Sequence, residues 1–299
     1  MNRPRSFDFR QLRRHRVADQ CVCCGSRTLH STPAILMPFV AHRAFGWAPA
    51  MIDSSWGLNT IKQGMAYSVC RSLQCGDCGL LFSDIRFSDD ELHRLYEGYR
   101  GLDYTALREV YEPGYTLRNE ALKQQIDYGC TLERFLEPLL PAGALAILDW
   151  GGDSGKNTPL RSRARQHDVY DISNAEVIAG AHAVSRKQAL ANHYDLIVCS
   201  NVLEHVPYPS DLLQDIRQLM TPQSLLYIEV PYEELMRHNG QQALPQKKHW
   251  HEHVNFFSTT ALEALIANVG LQPLRIVSDA SITAGLKSSY LIQAACRLA

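Results

Sequence analysis

Three groups of side chains in this chain have the types and spacing for chemistry. The first is a pair of cysteine runs, Cys21-Val22-Cys23-Cys24-Gly25 and Cys75-Gly76-Asp77-Cys78-Gly79. In a C-x-x-C-G turn two thiolates converge, and the glycine lets backbone N–H groups point at the sulfurs. Two such turns supply the four ligands of a closed tetrahedral site. Cys21, Cys24, Cys75 and Cys78 are therefore expected to hold a structural Zn2+ ion, with Cys23 able to replace one of the first pair and Cys70 a weaker spare. A redox pair is not expected, because neither run lies between a strand and a helix. The second group is Asp149-Trp150-Gly151-Gly152-Asp153-Ser154-Gly155, a carboxylate followed by a glycine-rich turn. Glycines let backbone N–H groups approach a ligand with no Cβ in the way. The third is His249-Trp250-His251-Glu252-His253. Histidine is the side chain poised to move protons near pH 7, and in a strand these three imidazoles would share one face, where a second metal ion could sit.

Elements of alternating type must position these groups. Residues 145–149 form a short apolar run bounded by Pro141-Ala142-Gly143 and by glycines, the pattern of a buried parallel strand. A helix after Asn157 would aim its positive end at a ligand on the loop. The glycines at 151, 152 and 155 do not have the dinucleotide spacing G-x-G-x-x-G. A second strand ends at Val169-Tyr170-Asp171-Ile172. Asp171 follows Asp149 by about 20 residues, the place where a Rossmann-type site uses a carboxylate to hold ribose hydroxyls, and Ile172 sits beside it. Residues 196–199 form another buried strand, with Ser200 and Asn201 at its carboxyl end, where α/β sheets bind ligands. A helix from Pro209 to Met220, a strand over 224–231, an amphipathic helix over 259–269 stopped by Gly270, and two antiparallel edge strands near 274–278 and 289–296 complete the pattern.

Upstream, Ser88-Asp89-Asp90-Glu91 is a helix start with a capping box, and Leu92, Leu95, Tyr96 and Tyr99 follow at helical spacing. A second helical run covers 117–140. Tyr96, Tyr99, Tyr104, Tyr111 and Tyr115 cluster here, either as packing residues or as the lining of a substrate pocket beneath a helical lid. The chain is 299 residues long with 30 basic and 31 acidic side chains, a balance that calls for no nucleic-acid partner. Its start is the exception: Arg3, Arg5, Arg10, Arg13, Arg14 and Arg16 are opposed only by Asp8. This reads as a flexible tail that could touch an anionic membrane surface. There is no signal peptide and no spanning run, and nine cysteines favour metal and free thiols over disulfides. These features point to the cytoplasm.

The pattern Asp149-x-Gly151-Gly152-x-x-Gly155 resembles the first motif of class I S-adenosylmethionine-dependent methyltransferases. Asp195-Leu196-Ile197-Val198 followed by Val202-Leu203-Glu204-His205-Val206 resembles their fourth motif. Glu252-His253-Val254-Asn255-Phe256-Phe257-Ser258, preceded by paired C-x-x-C runs, is similar to a zinc-containing subgroup, the sugar methyltransferases of deoxysugar and polysaccharide pathways. The resemblance implies a Rossmann-like α/β sheet, mostly parallel with an antiparallel edge. It implies a division into a basic tail (1–18), a zinc module (19–84), a helical lid (85–142) and a methyltransferase domain (143–299). It also implies that Asp149, Gly151, Gly152 and Gly155 shape the methionine side of the cofactor site, that Asp171 and Ile172 take the ribose, and that Ser200 and Asn201 lie under the transferred methyl. His253 is then the proton-abstracting base, with Glu252 orienting it, a role that methyl transfer to an oxygen or carbon requires. The expected acceptor is a hydroxyl or carbon of a nucleotide sugar or glycan. The chain ends where the sheet ends, whereas sugar C-methyltransferases of this type carry a further C-terminal domain, which makes a hydroxyl at least as well supported as a carbon. The Asn/Asp-Pro-Pro-Tyr/Phe sequence of base-amino methylases is absent. The other readings are a methyltransferase of quinone-like or other small-molecule hydroxyls, and a non-catalytic zinc-stabilised scaffold. Oligomeric state is not readable.

Overall fold

The computed structural model describes residues 16–57, 64–123, 129–284 and 287–299. Between the two cysteine turns run β1 (Leu29–Leu36), α1 (Pro38–Phe45), a hairpin of β2 (Ala50–Ile52) and β3 (Gly64–Ala66), and β4 (Val69–Cys75); β5 (Leu81–Ser83) follows the second turn. Four helices come next: α2 (Asp89–Tyr96), α3 (Leu102–Tyr111), α4 (Tyr115–Lys123) and α5 (Gly129–Leu136). Then come β6 (Leu145–Trp150), β7 (Ala164–Tyr170), β8 (His182–Ala183), α6 (Arg186–Ala189), β9 (Leu196–Ser200), α7 (Pro209–Gln218) and β10 (Leu225–Pro231). The chain closes with α8 (Glu234–Asn239), β11 (His249–Trp250), β12 (Asn255–Phe256), α9 (Thr259–Asn268), β13 (Leu271–Ala284) and β14 (Lys287–Leu298).

The large sheet has the order β13-β14-β10-β9-β6-β7-β8. Its strands from β10 to β8 pair in parallel, while β14 and β13 add an antiparallel edge. Every residue of β6 is buried, as the apolar run requires of a strand covered on both faces. Leu145 and Ile147 face Leu132, Phe135 and Leu136 of α5. Ala146 and Leu148 face the other way, onto a core shared by α7, α9 and the cysteine turns. The chain leaves β6 for β7 on one side and later returns to β9 on the other, so β6/β9 is the switch point outside which α/β sheets hold ligands.

The segment between β6 and β7 departs from expectation. No α-helix follows the glycine loop; Arg161–Arg163 makes one turn of 3-10 helix. Pro159 and the left-handed Leu160 (φ 57°) interrupt the segment, and Thr158 turns inward onto Asp149. The loop therefore has no helix dipole behind it.

A smaller sheet, β11-β1-β4-β5-β12, carries the cysteine turns. Its two edges come from far along the chain: Leu36 pairs with Trp250, and Phe82 with Asn255. The insert between the cysteine runs thus shares its sheet with the segment 249–256. The tail residues Arg3 to Arg14 lie outside the described residues, as do 58–63. Arg16–Ala18, placed in the flexible tail from sequence, instead run beside residues 84–86, with Ala18 N–H donating to Asp84 O at 2.7 Å.

The capping box on α2 forms as read: Ser88 Oγ accepts from Glu91 N–H (3.3 Å), and Glu91 accepts from Ser88 N–H (2.9 Å). Among the described residues no helix is long and apolar enough to cross a membrane.

Candidate active site and metal-ligand clusters

The sulfurs of Cys21, Cys24, Cys75 and Cys78 all lie within 4.8 Å of one another. Cys21 and Cys78 approach to 3.5 Å, and Cys24 and Cys75 to 3.6 Å. Zn–S bonds of about 2.3 Å in a tetrahedron would set sulfurs about 3.8 Å apart, so the four fit one metal ion and leave no open position. Gly25 and Gly79 hold left-handed φ of 75° and 78° and return their N–H groups to Cys21 O and Cys75 O. Cys23 and Cys70 are buried elsewhere, outside the set.

At the switch point, Asp149 is 5% exposed at the end of β6 and accepts from Thr158 Oγ1 at 2.5 Å. Burial is the main cause that raises its carboxyl to about 6; the Thr158 hydrogen bond opposes the rise, and Asp171 and Asp153 add to it. Asp153 is raised too, first by burial and then by Asp171, with Arg100 opposing. A Cβ on Gly151 (φ 81°) would lie 2.4 Å from Val202 Cγ2, and one on Gly152 would lie 2.4 Å from Asp149 Cγ. At Gly155 (φ 74°) a Cβ would meet Val169 at 2.8 Å. The turn therefore has no room for side chains. Asp171 stands at the end of β7 and accepts from Asp153 N–H (2.9 Å) and Ser173 N–H (2.7 Å), which joins the two loops. Ile172 beside it is 39% exposed. Ser200 Oγ and Asn201 Nδ2 both donate to Glu229 of β10 (2.8 and 3.0 Å), and Asn201 is left-handed at φ 54°.

A second cluster lies just beyond Val202, in the turn after β9. His205 Nδ1 is 2.7 Å from the Tyr96 hydroxyl of α2 and 3.2 Å from the Glu252 carbonyl. His253 Nδ1 is 2.7 Å from Glu233, just past β10. The two imidazoles meet edge to face, with centroids 4.6 Å apart. Burial lowers His205 to about 3, with His253 adding to the effect. Burial also opposes charge on His253, but Glu233 and Glu204 outweigh it and raise His253 to about 9. Glu204 is 1% exposed, and burial lifts its carboxyl to about 8.

The Glu252 side chain turns away from His253. Arg108 donates to both of its oxygens at 3.1–3.2 Å. Despite burial, His251 and Arg108 hold it down at about 2. The three histidines of 249–253 do not converge. β11 ends at Trp250, His249 is exposed, and His251 bonds Glu112 at 2.5 Å. The second metal reading for 249, 251 and 253 is therefore set aside, because the strand needed to align them is only two residues long.

The tyrosines divide. Tyr96, Tyr104 and Tyr115 are buried with Phe39, Trp250 and Met236, and Tyr111 bonds His42. Only the Tyr96 hydroxyl meets the cluster.

Residues 115–276 match the family described as Methyltransferase domain. The chain belongs to this family of class I, S-adenosylmethionine-dependent methyltransferases. Among its relatives is the ubiquinone biosynthesis O-methyltransferase of Pasteurella multocida (strain Pm70), 26% identical over 113 residues. That match covers 35% of this chain and 45% of the relative, so the methyltransferase chain spans less than half of that relative's length. Similar solved structures include 1,6-didemethyltoxoflavin-N1-methyltransferase of Burkholderia thailandensis, bound to its didemethyltoxoflavin and S-adenosylhomocysteine. It is 15% identical, with a TM-score of 0.45 over 66% of this chain and 89% of that one. CalO1, a methyltransferase in calicheamicin biosynthesis, is 17% identical with a TM-score of 0.44 over 66% and 58%.

The loop of this methyltransferase suits S-adenosylmethionine by its donor set. Asp149, Asp153 and Asp171 form an acidic group that favours a cationic ligand bearing vicinal hydroxyls, and the loop lacks the helix N-terminus that a pyrophosphate would use. Sequence reasoning gave no site role to Glu204, His205, Glu233 or Arg108, and it named Tyr96 only as one of five tyrosines that pack or line a pocket. Three of them carried a signal, since Glu204, His205 and Glu233 lie a few residues past the carboxyl ends of the buried parallel strands β9 and β10.

Proposed function

We propose that this chain transfers a methyl group from S-adenosylmethionine to a hydroxyl of a sugar, carried on a nucleotide or a glycan, with a sugar carbon as the alternative atom. The observation that carries the reading is the juxtaposition at the switch point. Val202 packs against the tight glycine turn, and two residues later Glu204-His205 meets His253. A loop suited to the methyl donor and a group of proton-handling side chains are thereby adjacent. S-adenosylmethionine supplies a methyl already activated on a sulfonium. The protein then has to hold the acceptor in line and take away its proton. In this reading Asp171 holds the ribose hydroxyls, and the acceptor's proton is lost at the cluster of Glu204, His205 and His253. Glu252, paired to Arg108, fixes the segment that carries His253. The four cysteines hold a structural Zn2+. The sugar acceptor rests on the resemblance of the Glu252–Ser258 sequence and the cysteine module to sugar methyltransferases.

A quinone-like hydroxyl is the second reading, favoured by the relative from Pasteurella multocida, which is named for ubiquinone biosynthesis. The test is calorimetric titration of metal-analysed protein with S-adenosylmethionine, followed by mass-spectrometric assay against nucleotide sugars, glycans and hydroxylated quinones. Micromolar binding with a mass gain on a sugar supports the reading. A mass gain on quinones alone replaces the acceptor class, and no cofactor binding by folded protein defeats the enzymatic reading altogether. His253→Ala is expected to leave cofactor binding intact while turnover is lost.

A further inference from the structure

We propose that Glu204, His205 and His253 form a second metal site, distinct from the four cysteines, which takes a first-row divalent cation and presents it to the acceptor oxygen. The inference rests on the reading that the acceptor's proton is lost at this cluster. One carboxylate oxygen and one nitrogen from each histidine all lie within 4.8 Å of one another. The hydrogen bonds identify the nitrogens. His205 Nδ1 is occupied by Tyr96 and the Glu252 carbonyl, and His253 Nδ1 by Glu233. Each ring therefore keeps Nε2 for the cluster, and His205 Nε2 stands 3.7 Å from Glu204 Oε1. A histidine that binds a metal through one nitrogen while a carboxylate or carbonyl fixes the other is the recurrent arrangement at metal centres. Here both histidines have it.

The second observation is independent of the first. Glu204 is 1% exposed, and among the described residues neither of its side-chain oxygens has a hydrogen-bond partner. A carboxylate so placed needs a cation or a proton, and the groups nearest to it are the Nε2 atoms of two imidazoles, where a metal ion would take the place of a proton. Two imidazoles and one carboxylate leave coordination positions open, as in sites where Mn2+, Fe2+ or Zn2+ receives a substrate oxygen. The closed thiolate site offers no such position. A hydroxyl bound to the cation loses its proton more readily, and that proton leaves to water. The oxygen lone pair then forms the bond to the methyl carbon, and the C–S bond breaks with its electron pair retained by sulfur.

The probe is Mn2+, a weak competitor for thiolates, added to protein that already carries one Zn2+ and has been passed over a chelating resin. Loss of the free-ion electron paramagnetic resonance signal counts bound Mn2+. One Mn2+ per chain is expected in the wild type. Glu204→Gln, close to isosteric, and His253→Ala should each weaken binding at least tenfold while keeping the zinc content and the affinity for S-adenosylmethionine. Glu233→Gln should weaken Mn2+ binding less, because it acts by positioning His253. Zinc-loaded wild type that binds S-adenosylmethionine but takes up no Mn2+ or Co2+ at millimolar concentration would overturn the proposal. So would Mn2+ binding that is unchanged in both Glu204→Gln and His253→Ala. Site-dependent Mn2+ binding with no methyl transfer to any hydroxyl would uphold the metal site and defeat the proposed reaction instead.

Discussion

Asp149→Asn gives a clean test of the cofactor loop, because the site's electrostatics should be visible in stability before any ligand is added. Asp149 is buried, and its carboxyl is raised from 3.8 to about 6. The folded state therefore binds this proton more tightly than the unfolded chain does. The resulting penalty is absent below about pH 3.8 and complete above about pH 6, so stability falls as pH rises across that window. A shift of this size corresponds to ~3 kcal/mol at pH 7.5, with about half of it developing between pH 5 and 7.5. At roughly 2 °C per kcal/mol for a chain of this size, the wild type should lose about 3 °C more than Asp149→Asn over that interval. Comparing the two slopes cancels the fixed cost of burying an amide, and Asn can still accept from Thr158. The assay is differential scanning fluorimetry of both proteins at pH 5 and 7.5. Parallel shifts would show that Asp149 is not held in a desolvated site, and the account of the acidic loop would fail.

Other perturbations test other parts of the frame. Asp171→Ala should weaken S-adenosylmethionine about 10- to 100-fold by calorimetry, since the ribose hydroxyls lose a charged acceptor; unchanged affinity would move the ribose elsewhere. Arg108→Ala leaves the Glu252 carboxylate buried without its partner, a loss of about 3–5 kcal/mol expected from urea denaturation. A loss below about 1 kcal/mol would mean that water replaces the guanidinium. Cys75→Ser should remove the bound metal, read by elemental analysis, with a large drop in Tm because structural metal binding is coupled to folding; retained metal would point to another ligand set.

The sheet was legible because its signal is local. Apolar runs such as 196–199, bounded by glycine, proline and polar residues, have few alternatives to a buried strand, and Asp149 and Asp171 follow from where such strands end. The two C-x-x-C-G turns were legible for the same reason, since each knuckle closes within five residues. The helix expected after Asn157 did not form, because Pro159 and the left-handed Leu160 interrupt the segment and Thr158 turns inward onto Asp149, a tertiary contact that no local pattern announces. The proton-handling cluster was read only in part. His253 gained its meaning from Glu233, 20 positions earlier, and from His205, 48 positions earlier, and no periodicity links them. Glu252 looked like the partner of its neighbour His253, yet its carboxylate belongs to Arg108, 144 positions away in the chain.

The same segment that carries Glu252 and His253 also completes the cysteine-bearing sheet. β11 extends β1, and β12 pairs with β5 directly after the second cysteine turn. Arg86, buried just beyond β5, donates to Pro207 O and to Asn255 Oδ1, while Asn255 Nδ2 donates to Leu203 O and Val206 O. The turn bearing Glu204-His205 is thus held from below by residues of the module sheet, and Val254 N–H donates to Glu204 O at 2.7 Å. The glycine loop after β6 depends instead on β6, β7 and Val202. In the proposed reaction the two halves would therefore have different structural supports: donor binding would rest on the large sheet, and the acceptor-side cluster on the sheet that carries the cysteine turns. On the proposed function, a metal held by the four cysteines would in this way bear on turnover, because the backbone that positions His205 and His253 is bonded to the sheet that carries those cysteines.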